Sequence, residues 1–202
     1  MTVKSVAARV ASVTFLATAA HVVVGAPAHS AMPSAENAAA AATVAALVAD
    51  DTAGALSSFP GDFIGVTNYS PVVEGQAGTT SVLVDPDGSC SAPIPLPDAF
   101  ESACRVHDLG YDLLRYARAT GGELHPDARR DLDGLFARHL DAACRSEPDL
   151  ETCSTVAGIA SAAVEFNSWR QGHRSPVPES PWPAALAAGS AVLGLAARKV
   201  AR

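Results

Sequence analysis

Four cysteines, Cys90, Cys104, Cys144 and Cys153, are the strongest constraint on what this 202-residue chain can fold into. No two of them have the CxxC spacing of a zinc knuckle, so a structural metal site is not expected. An even number in an exported chain reads as two disulfides, with three pairings open. Small exported domains use such staples where the apolar core is limited.

Export is suggested by the N-terminus. MTVKSVAARVASVTFLATAAHVVVGAPAHS places Lys4 and Arg9 before an apolar run, then small residues around Ala26, Ala28 and Ser30. That order matches a secretory signal peptide over residues 1–30, cleaved between Ala26 and Ala31, an uncleaved anchor being the alternative. Losing Lys4 and Arg9 would take the formal charge from -7 to -9. So acidic a chain argues against nucleic acid or another phosphate-rich polymer as partner.

Residues 31–80 form an N-terminal region of two compositions. The stretch 35–58 is alanine-rich and reads as a helix with small apolar positions, a spacer that packs little area. From Phe59 the composition turns to Gly, Pro, Val and Thr, with VTNYSPVVEG and TTSVLV as short strands and Pro71 and Gly75 as breakers. SAPIPLPDAF then reads as a loop, because proline has no backbone N–H and a fixed φ.

Residues 81–172 carry the main domain, with three helices. The first runs from about Phe100 to Ala119, with Val106, Leu109, Leu113 and Ala117 at helical spacing and Gly121–Gly122 as its stop. The second starts near Pro126 and has Leu132, Leu135, Phe136 and Leu140 on one stripe. The third, about Thr152 to Arg170, has Val156, Ile159, Ala160, Ala163 and Phe166. Residues 173–202 are a proline-containing linker and an apolar tail ending in Arg198, Lys199 and Arg202. The tail's apolar run is short of the ~20 residues that cross a hydrocarbon core. It reads either as a C-terminal envelope anchor, from its order of signal, domain, apolar run and basic end, or as a docked helix.

The chemistry concentrates in CRVHDLGYDLLRY, residues 104–116. Adjacent helical residues point about 100° apart, so His107 and Asp108 face different surroundings. A two-metal HD hydrolase site needs a further upstream histidine, and none remains before His107 once the signal is removed. No GxSxG elbow is present for a serine hydrolase.

ACRVHDLGYD in its paired-cysteine context resembles the secreted phospholipase A2 superfamily, and more closely its small prokaryotic branch. The likeness covers roughly residues 85–168, and C-x-x-H-D-x-G-Y is its most specific part. CSAPIPLPDAFESACRVHDLGY resembles the family's first disulfide loop entering the catalytic helix, and DLDGLFARHLDAAC its second helix. The resemblance implies a mainly α fold, a small disulfide-stapled domain with antiparallel catalytic helices. It pairs Cys90 with Cys104 and Cys144 with Cys153.

It also divides the work of the two neighbours. His107 would be the general base for a water that attacks an ester carbonyl. Asp133 would hold its other ring nitrogen and fix the tautomer, and Tyr111, one turn on, would pack or hydrogen-bond beneath the pair. Asp108 would bind one Ca2+ with oxygens of the loop before Cys90, the ion acting as a Lewis acid. The prokaryotic branch has an aspartate two residues before the first cysteine; here that place is Gly88, and Asp87, with Asp85 nearby, is the expected loop ligand. His125, His139 and His173 read as solvent or surface residues.

The function implied is an exported calcium-dependent phospholipase A2 acting on the sn-2 ester at phospholipid aggregates or a membrane surface. A catalytically quiet module of the same fold, binding lipid or tethered at the envelope, is the alternative. A toxin or structural envelope protein is a third.

Overall fold

Two long helices carry the expected chemistry, and contacts between them set their direction. In the computed structural model α4 spans Glu101–Ala119 and α5 spans Pro126–Cys144. Gly110 meets Leu132 while His107 meets Phe136, so partners rise along one helix as they fall along the other. The pair is therefore antiparallel. A Cβ on Gly110 would lie 2.5 Å from Leu132 Cδ2, so the absent side chain lets the helices approach closely here. The reversal uses Gly121 at φ 83°, a conformation that suits glycine.

The structure describes residues 35–75, 81–92, 95–145 and 149–178. The signal segment, the first two residues of TTSVLV, Pro148 and the C-terminal apolar stretch lie outside them. No helix among the described residues is long and apolar enough to cross a membrane.

The alanine-rich stretch is not a spacer. It forms α1 (Ala38–Val48) and α2 (Thr52–Ser58), broken at Asp50, whose φ of 56° ends the first helix. Asn37 caps α1, and Asp51 caps α2 by accepting from Gly54 N. Ala40, Val44, Leu47 and Ala55 are buried in one core with Leu109, Leu113, Leu132 and Leu135. Small residues permit this because α1 packs close, as Asn37 N–H bonding to Gly122 O also shows.

A short helix, α3 (Phe63–Thr67), occupies part of the first expected strand. Its Phe63 is wholly buried between Phe59, Tyr69 and Tyr116. Among the described residues only Val72–Glu74 (β1) and Val82–Val84 (β2) pair, antiparallel, with Val73 opposite Leu83. This ribbon spans the boundary drawn at residue 80, and β2 joins the core with α4 through Leu83 and Val84, whereas Val72 and Val73 of β1 are exposed.

A second cluster, Phe100, Phe136, Leu140 and Ala157, is stapled at both ends. Cys90 pairs with Cys104, and Cys144 pairs with Cys153 on α6 (Leu150–Arg170). The α6 stripe behaves differently from the others. Cys153, Ala157 and Ser168 are its buried positions, whereas Ile159 and Phe166 are exposed. The fold is mainly α with two disulfides, paired as the resemblance implied.

Candidate functional site

His107 and Tyr111 stand one turn apart on α4, and Arg129 and Asp133 one turn apart on α5. Residues four apart share a helix face, and the close contact at Gly110 turns the two faces together. His107 Nε2 lies 3.0 Å from Asp133 Oδ1, and the Tyr111 hydroxyl donates to the same oxygen at 2.7 Å. Both His107 and Asp133 are buried, with 8% and 9% of their surface exposed. His107 also packs against the rings of Tyr111 and Phe136, centroids 4.0 and 4.8 Å away.

These bonds determine where the ring keeps its lone pair. An ionised carboxylate only accepts hydrogen bonds, so Nε2 carries the proton and Nδ1 is basic. Nδ1 has no protein partner among the described residues. The Tyr111 phenol is pushed up to about 12, first by burial and then by the Asp133 charge, so it stays a donor at working pH. Ser168 Oγ lies 3.0 Å from its oxygen.

His107 forms part of the wall of a cleft of about 380 Å³. Its other walls are mostly apolar: Leu96 from the proline-rich loop, Phe136 from α5, and Val156, Ile159, Ala160 and Ala163 from α6. The stripe on α6 therefore lines the cleft, with Val156 and Ala160 also packed against the second cluster. Ile159, Phe166 and Trp169 extend it onto the surface, at 58%, 58% and 66% exposure.

Asp108 reaches the other side of the same cleft, beside the turn 85–89. Arg105 fastens that turn to α4 by donating from Nε to Asp85 O at 3.0 Å and from Nη2 to Pro86 O at 2.9 Å. Ser89 N–H donates to Asp108 Oδ2 at 3.0 Å. Burial raises the Asp108 carboxyl above the ordinary carboxylate range; the Ser89 bond and His107 oppose this, and Asp85 and Asp112 add to it.

A Cβ built on Gly88 would lie within 3.2 Å of both the Asp108 side chain and Asp85 Cβ. The glycine thus leaves room between two carboxylates. Asp85 is buried, and its Oδ1 accepts from Asp87 N at 2.9 Å. Asp87 itself is exposed at the corner of the turn. The Asp85 side chain lies across Gly88 from Asp108, a carboxylate pair whose oxygens suit calcium, although Arg105 already takes the Asp85 and Pro86 carbonyls. No group of three or more His, Cys, Asp or Glu side chains that could hold a metal ion occurs among the described residues, so a calcium ion would need main-chain carbonyls and water besides.

The structure brings His107, Asp133 and Tyr111 together, sets Asp108 on the same cleft and leaves Asp87 turned outward. His125 caps α5, its Nδ1 accepting from Asp127 N at 3.4 Å. His139 is less exposed than a surface residue, its Nε2 2.6 Å from Asp50 Oδ1. The sequence does not single out Arg129 or Ser168, and it marks Asp85 only as a neighbour of Asp87. Arg129 sits four residues before Asp133, a spacing that marks it as sharing that face; Ser168 carried no such signal.

Comparison with protein-family models, curated proteins and solved structures finds no match to this chain.

Proposed function

We propose that the chain is an exported, calcium-dependent phospholipase A2, hydrolysing the sn-2 ester of glycerophospholipids with a water activated by His107. One observation carries the reading: a buried His–Asp pair whose histidine belongs to the wall of an apolar cleft. An ester flanked by acyl chains suits such a cleft better than a polar substrate does.

In this scheme Nδ1 of His107 takes a proton from water as its oxygen attacks the ester carbonyl, and returns it to the leaving alcohol. Asp133 holds the imidazole and stabilises the imidazolium that forms transiently. Tyr111 and Ser168 keep Asp133 from turning. Calcium held by Asp108, Asp85 and carbonyls of the turn would supply Lewis-acid polarisation of the ester. The exposed Ile159, Phe166 and Trp169 offer an apolar shoulder for a lipid aggregate as partner. The signal-like segment and the two disulfides accord with an oxidising compartment. The tail beyond Pro181 would hold the protein at the envelope; truncation there should release more of it to the medium.

The outward Asp87 and the Arg105 cation against the turn favour a second reading, a quiet lipid-binding module of the same architecture. Vesicles labelled in the sn-2 chain separate the two. Release of labelled fatty acid in calcium supports the enzyme; vesicle binding without release supports the module.

A further inference from the structure

We infer that Arg129 is a positioning residue for His107, acting through Tyr111 and Asp133. The inference rests on the general-base reading of His107. Arg129 is wholly buried, although a guanidinium is costly to bury and an apolar side chain of similar size fills such a place more cheaply. Its contacts explain why a charge is kept there.

Nε of Arg129 donates to the Tyr111 hydroxyl at 3.2 Å, and the guanidinium carbon lies 4.8 Å from that ring's centre. Nη1 donates to Gln171 Oε1 at 2.9 Å and to Arg174 O at 2.7 Å, so the segment after α6 holds the side chain in place. Guanidinium has donors only. The phenol oxygen must therefore accept from Arg129, which leaves its single proton for Asp133. The resulting order has one polarity: Arg129 donates to Tyr111, Tyr111 to Asp133, and His107 Nε2 to the same carboxylate.

The charge has a second effect. Asp133 is buried and its Oδ2 has no hydrogen-bond partner, as is true of Arg129 Nη2 one turn away on the same helix. No lysine or arginine makes an ion pair with Asp133 among the described residues; His107 is its paired group. Arg129 is thus the fixed charge one turn from Asp133, tied to it through Tyr111, whose proton Asp133 accepts. An acceptor-only Asp133 is what selects the Nε2–H tautomer and leaves Nδ1 basic.

The test reads the tautomer directly. ¹⁵N NMR of the His107 ring, at alkaline pH where the imidazole is neutral, should show Nε2–H as the dominant form in the wild type. Arg129→Met should give a mixture of both tautomers while unfolding remains cooperative, and Arg129→Lys should largely retain the wild-type pattern. With sn-2-labelled phospholipid, Arg129→Met should lower kcat about 10- to 100-fold and leave KM unchanged, because the variant changes the base and not the cleft. Nε2–H dominance undiminished in Arg129→Met overturns the inference. Should that variant fail to fold, Tyr111→Phe cuts the same chain at its middle, and unchanged dominance there overturns it equally. A wild type that releases no fatty acid contradicts the general-base reading alone, since the tautomer measurement still decides the role of Arg129.

Discussion

His107 and Asp108 are neighbours on one helix, yet they belong to two halves of the cleft built in opposite ways. On the His107 side every partner comes from a helix: Asp133 and Arg129 from α5, Ser168 from α6, Tyr111 from α4 itself. On the Asp108 side the partners come from a turn held by Arg105 and the Cys90–Cys104 bridge. Helices place side chains rigidly, and a turn does so only as well as its fastenings. The His107 half is thus fixed by contacts between helices, while the half facing Asp108 sets two carboxylates, Asp85 and Asp108, on either side of Gly88.

The largest expected contrast is in activity. His107→Ala should lower fatty-acid release about 10²- to 10⁴-fold, and added calcium should restore none of it. Asp108→Asn should also lose activity, but excess calcium should recover part of it. If calcium rescues both variants alike, the two halves are not distinct.

Next come the disulfides. Loop-closure entropy gives about 3 kcal/mol for the 14-residue separation of Cys90–Cys104 and slightly less for the 9-residue separation of Cys144–Cys153. The two double-serine variants should therefore lose similar stability in denaturant titration. Only loss of Cys90–Cys104 should raise the calcium concentration needed for half-maximal activity, because only that bridge holds the turn.

A smaller effect is expected at the helix contact. Gly110→Ala places a methyl against Leu132 and should cost about 1–3 kcal/mol by overpacking. It should lower activity without changing the calcium requirement, since the strain lies between His107 and Asp133.

The smallest effect should be on thermal stability in chelator. Asp108 has its carboxyl raised in the folded protein, chiefly by burial. The folded state then holds that proton more tightly than the unfolded chain does. The resulting stability is present below the ordinary carboxylate range and lost as pH rises through the raised value. At neutral pH the ionised Asp108 opposes folding, so Asp108→Asn should raise Tm slightly in chelator, the gain shrinking as pH falls toward 4. Calcium should reverse the order, stabilising the wild type at concentrations too low to stabilise Asp108→Asn by mass action.

The two halves also differed in how far the sequence showed them. His107, Asp133 and Tyr111 lie at regular helical positions, and spacing on a helix translates directly into a shared face. The turn 85–89 has no such period, so the sequence favours Asp87 with Asp85 only nearby, whereas the chain path turns Asp87 outward and buries Asp85. Arg129 reads as one more charge in DARRDLD, beside Arg130; burial alone separates them, 129 inside and 130 exposed. The packing role of α1 is hidden in the sequence for a related reason. Its small side chains bury little area each, but they allow backbones to approach, and apolar size alone does not show that.

The central claim is that both halves act together on a phospholipid ester. Its most direct test is a calcium titration of fatty-acid release by the purified, disulfide-bonded protein on vesicles labelled in the sn-2 chain. The account predicts no release in chelator and a saturable rise with calcium. Absence of release at saturating calcium, from protein with both disulfides intact, would contradict it.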